Sequence, residues 1–281
     1  MIAICPNPFR DINYSVSLQV QHMLEEAGHK TCICPIFVEE EEASLPLGLK
    51  AEKLSQVAAQ CSLVIVLGGD GTVLAAARQL HDVEVPILGV DLGSKGFMTA
   101  VEPEELDSML PAISGKLHFS RRMKLDVSVI RQDECIYSDN VLNDAVLHGY
   151  GDCIRMDIRC DGAKMTEIFG DGLVISTPTG STGYSLSAGG PILEPDGENI
   201  VLSPICPHVL GARSFVLGPD REIWVRMEKL PARRAYLSLD GNSVLDLENG
   251  DIVLVKRSQH CTLMADVGLR SFYEITYKKL T

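Results

Sequence analysis

Hydrophobic positions along the chain follow two different periods. Over roughly the first 120 residues, short β-branched runs alternate with helical patterns, the order that a parallel sheet with crossover helices demands. Met1–Cys5 predicts an opening strand. Across Ser15–Ala27 the apolar residues Val16, Leu18, Val20, Met23, Leu24 and Ala27 recur near a 3.6-residue period, which predicts a helix closed by Gly28. Thr31–Val38 reads as a second strand. Glu39–Glu42 and the segment to about Lys50 read as a solvated loop. Leu63–Leu67 is a continuous apolar run of the doubly buried kind, followed by Gly68–Thr72 and a helix through Val73–Leu80. Val85–Val90 gives another strand and Glu104–Ile113 a short helix.

From about Arg121 the helical period disappears and alternation with a period of two replaces it. Lys124–Ile130, Ile154–Cys160, Leu173–Ser176, Glu222–Met227 and Leu237–Leu245 all read as strands, the last with a hairpin turn at Asp240-Gly241. Ile252–Lys256 and Phe272–Tyr277 extend the pattern to the end. The fold class that follows is an α/β, Rossmann-like N-terminal domain with a parallel sheet over 1–120, then an all-β domain over 121–265. Residues 266–281 are expected to form a C-terminal strand. No internal repeat or low-complexity tract interrupts either part.

At 281 residues the chain is long enough to bury two cores without covalent staples. Its 25 basic and 38 acidic side chains leave a net charge of −13, which disfavours nucleic acid and anionic lipid as partners. Nine cysteines, at 5, 32, 34, 61, 135, 153, 160, 206 and 261, include no Cys-x-x-Cys spacing and read as free thiols packed in apolar runs. With no leader pattern and no run long enough to span a membrane, the expected compartment is a reducing cytoplasm.

The candidate chemistry sits in glycine-rich turns. The lysine-bearing P-loop signature is missing, the dinucleotide fingerprint fails because Leu74 stands where its third glycine belongs, and no G-x-S-x-G elbow or histidine pair at metal-ligand spacing occurs. What remains is Gly68-Gly69-Asp70-Gly71-Thr72 between a buried strand and a helix. Glycines there let backbone approach a phosphate, and the helix start behind them supplies unpaired N–H groups and the positive end of the dipole. Gly68, Gly69, Gly71 and Thr72 are therefore candidate phosphate-binding positions. A carboxylate among them suits phosphoryl transfer, either at Mg²⁺ or as acceptor of a hydroxyl proton. The plainer role for Asp70 is to cap the helix, worth about 1 kcal/mol.

Two further clusters stand out. Residues 169–190, FGDGLVISTPTGSTGYSLSAGG, are dense in Gly, Ser and Thr and offer many small donors to a polar ligand lying against the backbone. Asn143-Asp144 interrupts the apolar run Val141–Leu147. Consecutive strand residues face opposite sides, so one of this pair points inward unless the strand ends there.

Together GGDGT at 68–72, LGSKGF at 92–97, Asn143-Asp144, GDGLVISTPTGSTGYSLSAGGPI at 170–192 and DGN at 240–242 resemble the NAD kinase family over most of the chain, in the family's order. GGDGT by itself is shared with lipid kinases, and the long 170–192 block distinguishes the NAD kinases. The resemblance implies an N-terminal α/β domain, a β-sandwich-like C-terminal domain and a last strand returning to the first domain. It also implies assembly as a homodimer or homotetramer, and transfer of the terminal phosphoryl of ATP or polyphosphate to the adenosine ribose 2′-hydroxyl of NAD with Mg²⁺.

Carried over by position, Asp70 resembles the proton acceptor and Gly71 its neighbour at the substrate. Phe97 matches an aromatic that packs against adenine, Asn143 and Asp144 the pair that holds the adenosine side, and Asp171 an acid at the nicotinamide half, in a site often completed by a neighbouring subunit. Thr182, Gly183, Tyr184, Ser185 and Ser187 match the substrate-contacting run, and Asn242 the DGN segment. Asp144 stands where the family usually has Glu, Gly183 where it has Ala, and Lys95 where it has Leu or a small residue. Metal ligands on the protein are not identified; Mg²⁺ is expected on the substrate phosphates. Arg78 and Lys95 are candidate cations at the phosphates. The competing readings are a lipid kinase of the diacylglycerol type, which needs a membrane-binding surface, and a non-catalytic NAD-binding regulator.

Overall fold

The computed structural model describes residues 1–37, 50–93, 96–115, 117–209, 211–228 and 234–281. The expected loop at Glu39–Glu42 and the candidate Lys95 lie outside them. The chain divides into two compact units, Met1–Arg121 with Thr262–Thr281, and Arg122–Cys261.

In the first unit, β1 (Ile2–Pro6), β2 (Thr31–Ile33), β3 (Leu63–Gly68) and β4 (Ile87–Asp91) form a parallel sheet in the order β2-β1-β3-β4. All six residues of β3 are buried, as a strand covered on both faces requires. Helix α1 (Ser15–Glu26) lays Val20 and Leu24 against Ile4, Ile33 and Ile65, and Gly28 follows it at φ +85°, a left-handed end that glycine adopts without cost. A short α2 (Leu54–Val57) precedes β3, α3 (Asp70–Leu80) follows it, and α4 (Met109–Ser114) extends a 3₁₀ turn over Pro103–Ser108.

Residues 272–277 are not a strand. They open a nine-residue helix, Phe272–Leu280, which belongs to this first unit. The β-branched and aromatic residues of FYEITY suggested alternation, but Ser271 and Glu274 form a reciprocal capping box that satisfies orphan donors of the first turn and starts a helix. Among the described residues no helix is long and apolar enough to cross a membrane.

The second unit is all-β. Its strands are β5 (His118–Arg131, the first residues of which belong to the first unit), β6 (Glu134–Val141), β7 (Asp144–Gly149), β8 (Ile154–Cys160), β9 (Ala163–Gly170), β10 (Gly172–Ser176), β11 (Ile200–Ile205), β12 (Phe215–Leu217), β13 (Ile223–Glu228), β14 (Ala235–Leu239), β15 (Asn242–Leu247) and β16 (Ile252–Asp266, the last residues of which, from Thr262, belong to the first unit, where Met264 pairs with Ile87 of β4). One antiparallel sheet runs β12-β11-β10-β7-β14-β15; a second contains β16-β13-β8-β9, with β5 pairing β16 and β6.

Inward residues of both sheets, among them Leu147, Leu173, Ile175 and Leu237 from the first and Leu125, Ile158 and Val225 from the second, make one apolar core. Each such side chain contributes about 1.5–3 kcal/mol by leaving water. The hairpin between β14 and β15 turns on Asp240-Gly241 at φ +46° and +80°, a pair of left-handed residues whose twist suits a two-residue loop.

Candidate active site

The carboxyl ends of β1, β3 and β4 carry the polar residues of the first unit, where open parallel sheets place their ligands. Sheet order reverses between β1 and β3, and Gly68-Gly69-Asp70 leaves β3 there. Gly69, not Asp70, is the N-cap of α3, and no side chain caps it. Capping therefore does not account for Asp70. Its carboxylate turns toward the loop after β4, where Oδ2 accepts the Phe97 N–H at 2.9 Å and Oδ1 the Met98 N–H at 2.9 Å. Gly96 permits the approach, because a Cβ there would collide with Asp70 Oδ1. Asp91 organises the same loop by accepting the N–H groups of Gly93 at 2.9 Å and Gly96 at 3.0 Å.

The glycines of this turn divide by role. Any Cβ on Gly69 or Gly71 would meet open space, so their backbone is free to face a ligand. A Cβ on Gly68 would strike the Thr72 side chain, whose buried hydroxyl accepts from Asn7 Nδ2 at 3.1 Å. Gly68 and Thr72 thus close the turn from within. Arg78 lies eight residues along α3 from Asp70, roughly 12 Å down the helix axis. A nearer cation is Arg10, whose guanidinium lies where a Cβ on Gly93 would sit. Sequence reasoning missed Asn7 and Arg10. The signal available was their position just after β1, the other strand flanking the reversal in sheet order.

In the second unit β6 ends at Val141 and β7 begins at Asp144, so the Asn143-Asp144 pair marks a break between strands. Asp240 holds that break: its carboxylate accepts the N–H groups of Leu142 at 2.9 Å, Asn143 at 2.7 Å and Asp144 at 3.1 Å. Asp144 points to the sheet face opposite the core, with Val146 and His148. The 3₁₀ turn Thr179–Thr182 and α5 (Tyr184–Ser187) follow β10. Asn143 Nδ2 lies 3.5 Å and Asp144 Oδ2 3.8 Å from the point a Gly183 Cβ would occupy, so the structure brings 143, 144 and 183 together. Asn143 Oδ1 is buried without a hydrogen-bond partner.

Electrostatics separate these carboxyls. Burial first, and the Asp240 charge second, push the Asp144 carboxyl from 3.8 up to about 7. Burial also raises Asp240, opposed by its three N–H donors and by the charge of Lys124, itself buried. The Tyr184 hydroxyl is raised by burial first, and then by the charges of Tyr236, Cys206, Asp171 and Asp144.

Asp171 adjoins the other end of the β7–β10 pair, where Gly149 N–H donates to its carbonyl at 2.9 Å. That is roughly 15 Å along the strands from Asp144. Cys153 Sγ lies 3.5 Å from its carboxylate and 3.3 Å from His208 Nε2. Between the two ends, His148 stacks on Tyr236 at 5.8 Å, an aromatic pair on the face opposite the core that sequence reasoning did not single out. Alternation from Asp144 along β7 was the signal for His148.

The remaining candidates fall in different places. Tyr184 is 40% exposed, and Thr182 donates to the Thr179 carbonyl at 3.1 Å. Ser187 is exposed on α5. Ser185, in contrast, is fully buried with its hydroxyl 2.9 Å from that of Ser203, so it holds α5 to β11. Asn242 is exposed, its Nδ2 donating to the Asp240 carbonyl at 3.3 Å. Among the described residues no three His, Cys, Asp or Glu side chains converge as a metal site.

A parallel α/β unit with an anchored carboxylate in a glycine turn, and a β unit with a polar turn of small residues, fit a two-domain nucleotide-directed phosphotransferase. Residues 2–116 match the ATP-NAD kinase N-terminal domain and residues 142–267 the ATP-NAD kinase C-terminal domain. An NAD kinase of Citrifermentans bemidjiense is 41% identical over 82% of this chain and 81% of its own length; one from Natranaerobius thermophilus is 32% identical over 100% and 97%. The chain belongs to the NAD kinase family.

Solved structures agree on the fold. Yeast NADH kinase, in complex with NADH, superposes with a TM-score of 0.86 at 24% identity, covering 99% of this chain and 86% of that one. An NAD kinase from Archaeoglobus fulgidus in complex with ATP gives 0.77 at 23% identity, covering 99% and 98%.

Proposed function

We propose that this chain phosphorylates NAD to NADP with ATP as donor, the second unit holding the dinucleotide and Asp70 of the first accepting the proton of the adenosine ribose 2′-hydroxyl. The observation that carries the reading is the seating of Asp70. With each carboxylate oxygen fixed by one backbone N–H, and with open backbone at Gly69 and Gly71 on either side, the group is oriented for a ligand instead of a helix cap. A fixed base spares the reaction the entropy of finding one.

Phosphoryl transfer passes through a loose transition state, so the protein's work is to position donor and acceptor and to neutralise charge. Mg²⁺ on the donor phosphates would supply part of that neutralisation. Gly69 and Gly71 present backbone to the phosphates, and Arg10 is a cation beside Gly93 of the loop after β4.

In the second unit Asn143 and Asp144 hold the adenosine side through the unsatisfied amide oxygen and the buried carboxyl. Asp171 takes the nicotinamide half, and Thr182, Gly183, Tyr184 and Ser187 line the run between. Phe97 packs the adenine. Assembly as a homodimer or homotetramer belongs to the same reading, since exposed Phe215 and Val216 on the edge strand β12 form a surface that a second copy would cover. The test is direct. Purified protein with NAD, ATP and Mg²⁺ is expected to form NADP; no NADP, with NAD still bound in calorimetry, would make the chain a binding protein.

A further inference from the structure

We propose that the C-terminal helix is a working part of the first unit's carboxylate turn, with Lys279 a positioning residue that sets Asp70 through the ring and backbone of Phe97. The proposal rests on Asp70 being the proton acceptor.

The chain of contacts lies within one unit. Lys279 Nζ sits 4.2 Å from the centroid of the Phe97 ring, well inside the range at which a cation is drawn to an aromatic face. Phe272, two turns back on the same face of the helix, packs its ring 6.5 Å from the same ring at a tilted angle. Phe97 is half-buried, so these two contacts from the helix confine a ring that would otherwise swing. The N–H of that residue and of its successor are the two donors on the Asp70 carboxylate. A ring held in one place holds its own amide, and the amide holds the base.

The helix is in turn fixed at its start. Ser271 and Glu274 cap it, and Arg270 reaches Glu102 at 3.2 Å and Glu105 at 2.6 Å. Those two glutamates form the capping box of the 3₁₀ turn Pro103–Ser108, so helix and turn are tied through one guanidinium. Arg270, Lys278 and Lys279 also line a cavity with Asp91, Gly96 and Thr99, the residues that shape the loop after β4. The C-terminal segment and the loop that presents Asp70 its donors therefore share one packed environment. A lysine placed over the ring adds charge beside the carboxylate turn without ligating it, and its position in the last helical turn complements the helix dipole.

The test uses Lys279→Met, which keeps length and apolar contact but removes the cation, and Lys279→Arg, which restores it. Two readouts are taken on the full chain. Amide hydrogen exchange of the 96–99 segment, without any substrate, is expected to quicken about 3- to 10-fold in Lys279→Met and to return in Lys279→Arg, with an unchanged melting temperature. Turnover at saturating NAD is expected to fall by a similar factor and to recover with arginine.

In a Phe97→Leu background Lys279→Met should change neither readout further. Unchanged exchange in Lys279→Met, or the same loss with and without the Phe97 ring, would overturn the proposal. A fall in turnover that merely tracks the melting temperature would overturn it too. If Asp70 proves irrelevant to turnover while exchange still responds, the assignment of the proton acceptor fails and the coupling of helix to loop stands.

Discussion

The two units each place a carboxylate at a sharp backbone bend, and they anchor it with different numbers of donors. Asp70 and Asp240 are both half-buried; Asp70 receives two N–H donors and Asp240 three. Asp144, one strand from Asp240, is 5% exposed and is pushed up to about 7 by burial. At Asp240 burial raises the carboxyl against the pull of its three N–H donors, and at Asp144 burial and the neighbouring Asp240 charge act together. A carboxylate accepting several backbone N–H bonds keeps its charge at modest cost, whereas one stripped of water without such donors keeps its proton. The first unit therefore offers a positioned carboxylate, and the second a buried acid whose charge depends on pH.

The sharpest way to break that contrast is Asp70→Asn. It keeps the shape but abolishes proton acceptance, and turnover should fall by about 10²–10⁴ while NAD binding by calorimetry stays near normal. Unaltered turnover would remove Asp70 from the chemistry. Next in size, Asp240→Ala leaves three N–H groups at 142–144 without their acceptor and should destabilise the fold by about 2–4 kcal/mol, read as a drop in denaturant midpoint. A loss below about 1 kcal/mol would mean that water replaces the carboxylate.

A smaller effect sharpens the role of Asp144. Its folded pKa lies above the ordinary 3.8, so the stability it contributes is fully present below about 4 and is lost as pH rises through about 7. Asp240 and Lys124 face the same bend, and the burial of Asp240 acts in the same direction. Asp144→Asn should flatten this part of the pH profile, leaving the variant about 1–2 kcal/mol more stable than the parent at pH 8 and weaker in NAD binding. An unchanged profile would place the titration elsewhere. The smallest change is expected from Tyr184→Ala: KM for NAD should rise about 3- to 10-fold with little change in turnover number, as for a ring that binds without reacting.

Much of the first unit is legible in the chain itself. The apolar run at 63–67, the glycines behind it and the helical period after them point to one strand–turn–helix, because each is a local signal of a few residues. The β unit was visible as alternation, although β6, β9, β11 and β12 passed unseen: Glu134–Val141 is mostly polar and half exposed, and Phe215–Leu217 is only three residues long. The last element failed for a different reason. FYEITY favours a strand by residue type, and Ser271, whose capping box with Glu274 overrides it, lies one residue before the window in which alternation is counted. Ser185 shows the limit of motif reading, since a run of small polar residues does not reveal which hydroxyls turn inward.

From the sequence come the residue types, their spacing, the glycine at 68 against which Thr72 packs and the left-handed turn at 240–241. They follow from sterics and periodicity, which act over a handful of positions. Only the folded chain decides that the carboxylate at 70 is held by amides 27 and 28 residues later, that the one at 240 clamps a bend 96 to 98 residues earlier, and that the C-terminal helix reaches the ring at 97. Those are contacts between segments that nothing local connects, and the charge state of each acid depends on the donors and the water such contacts bring or exclude.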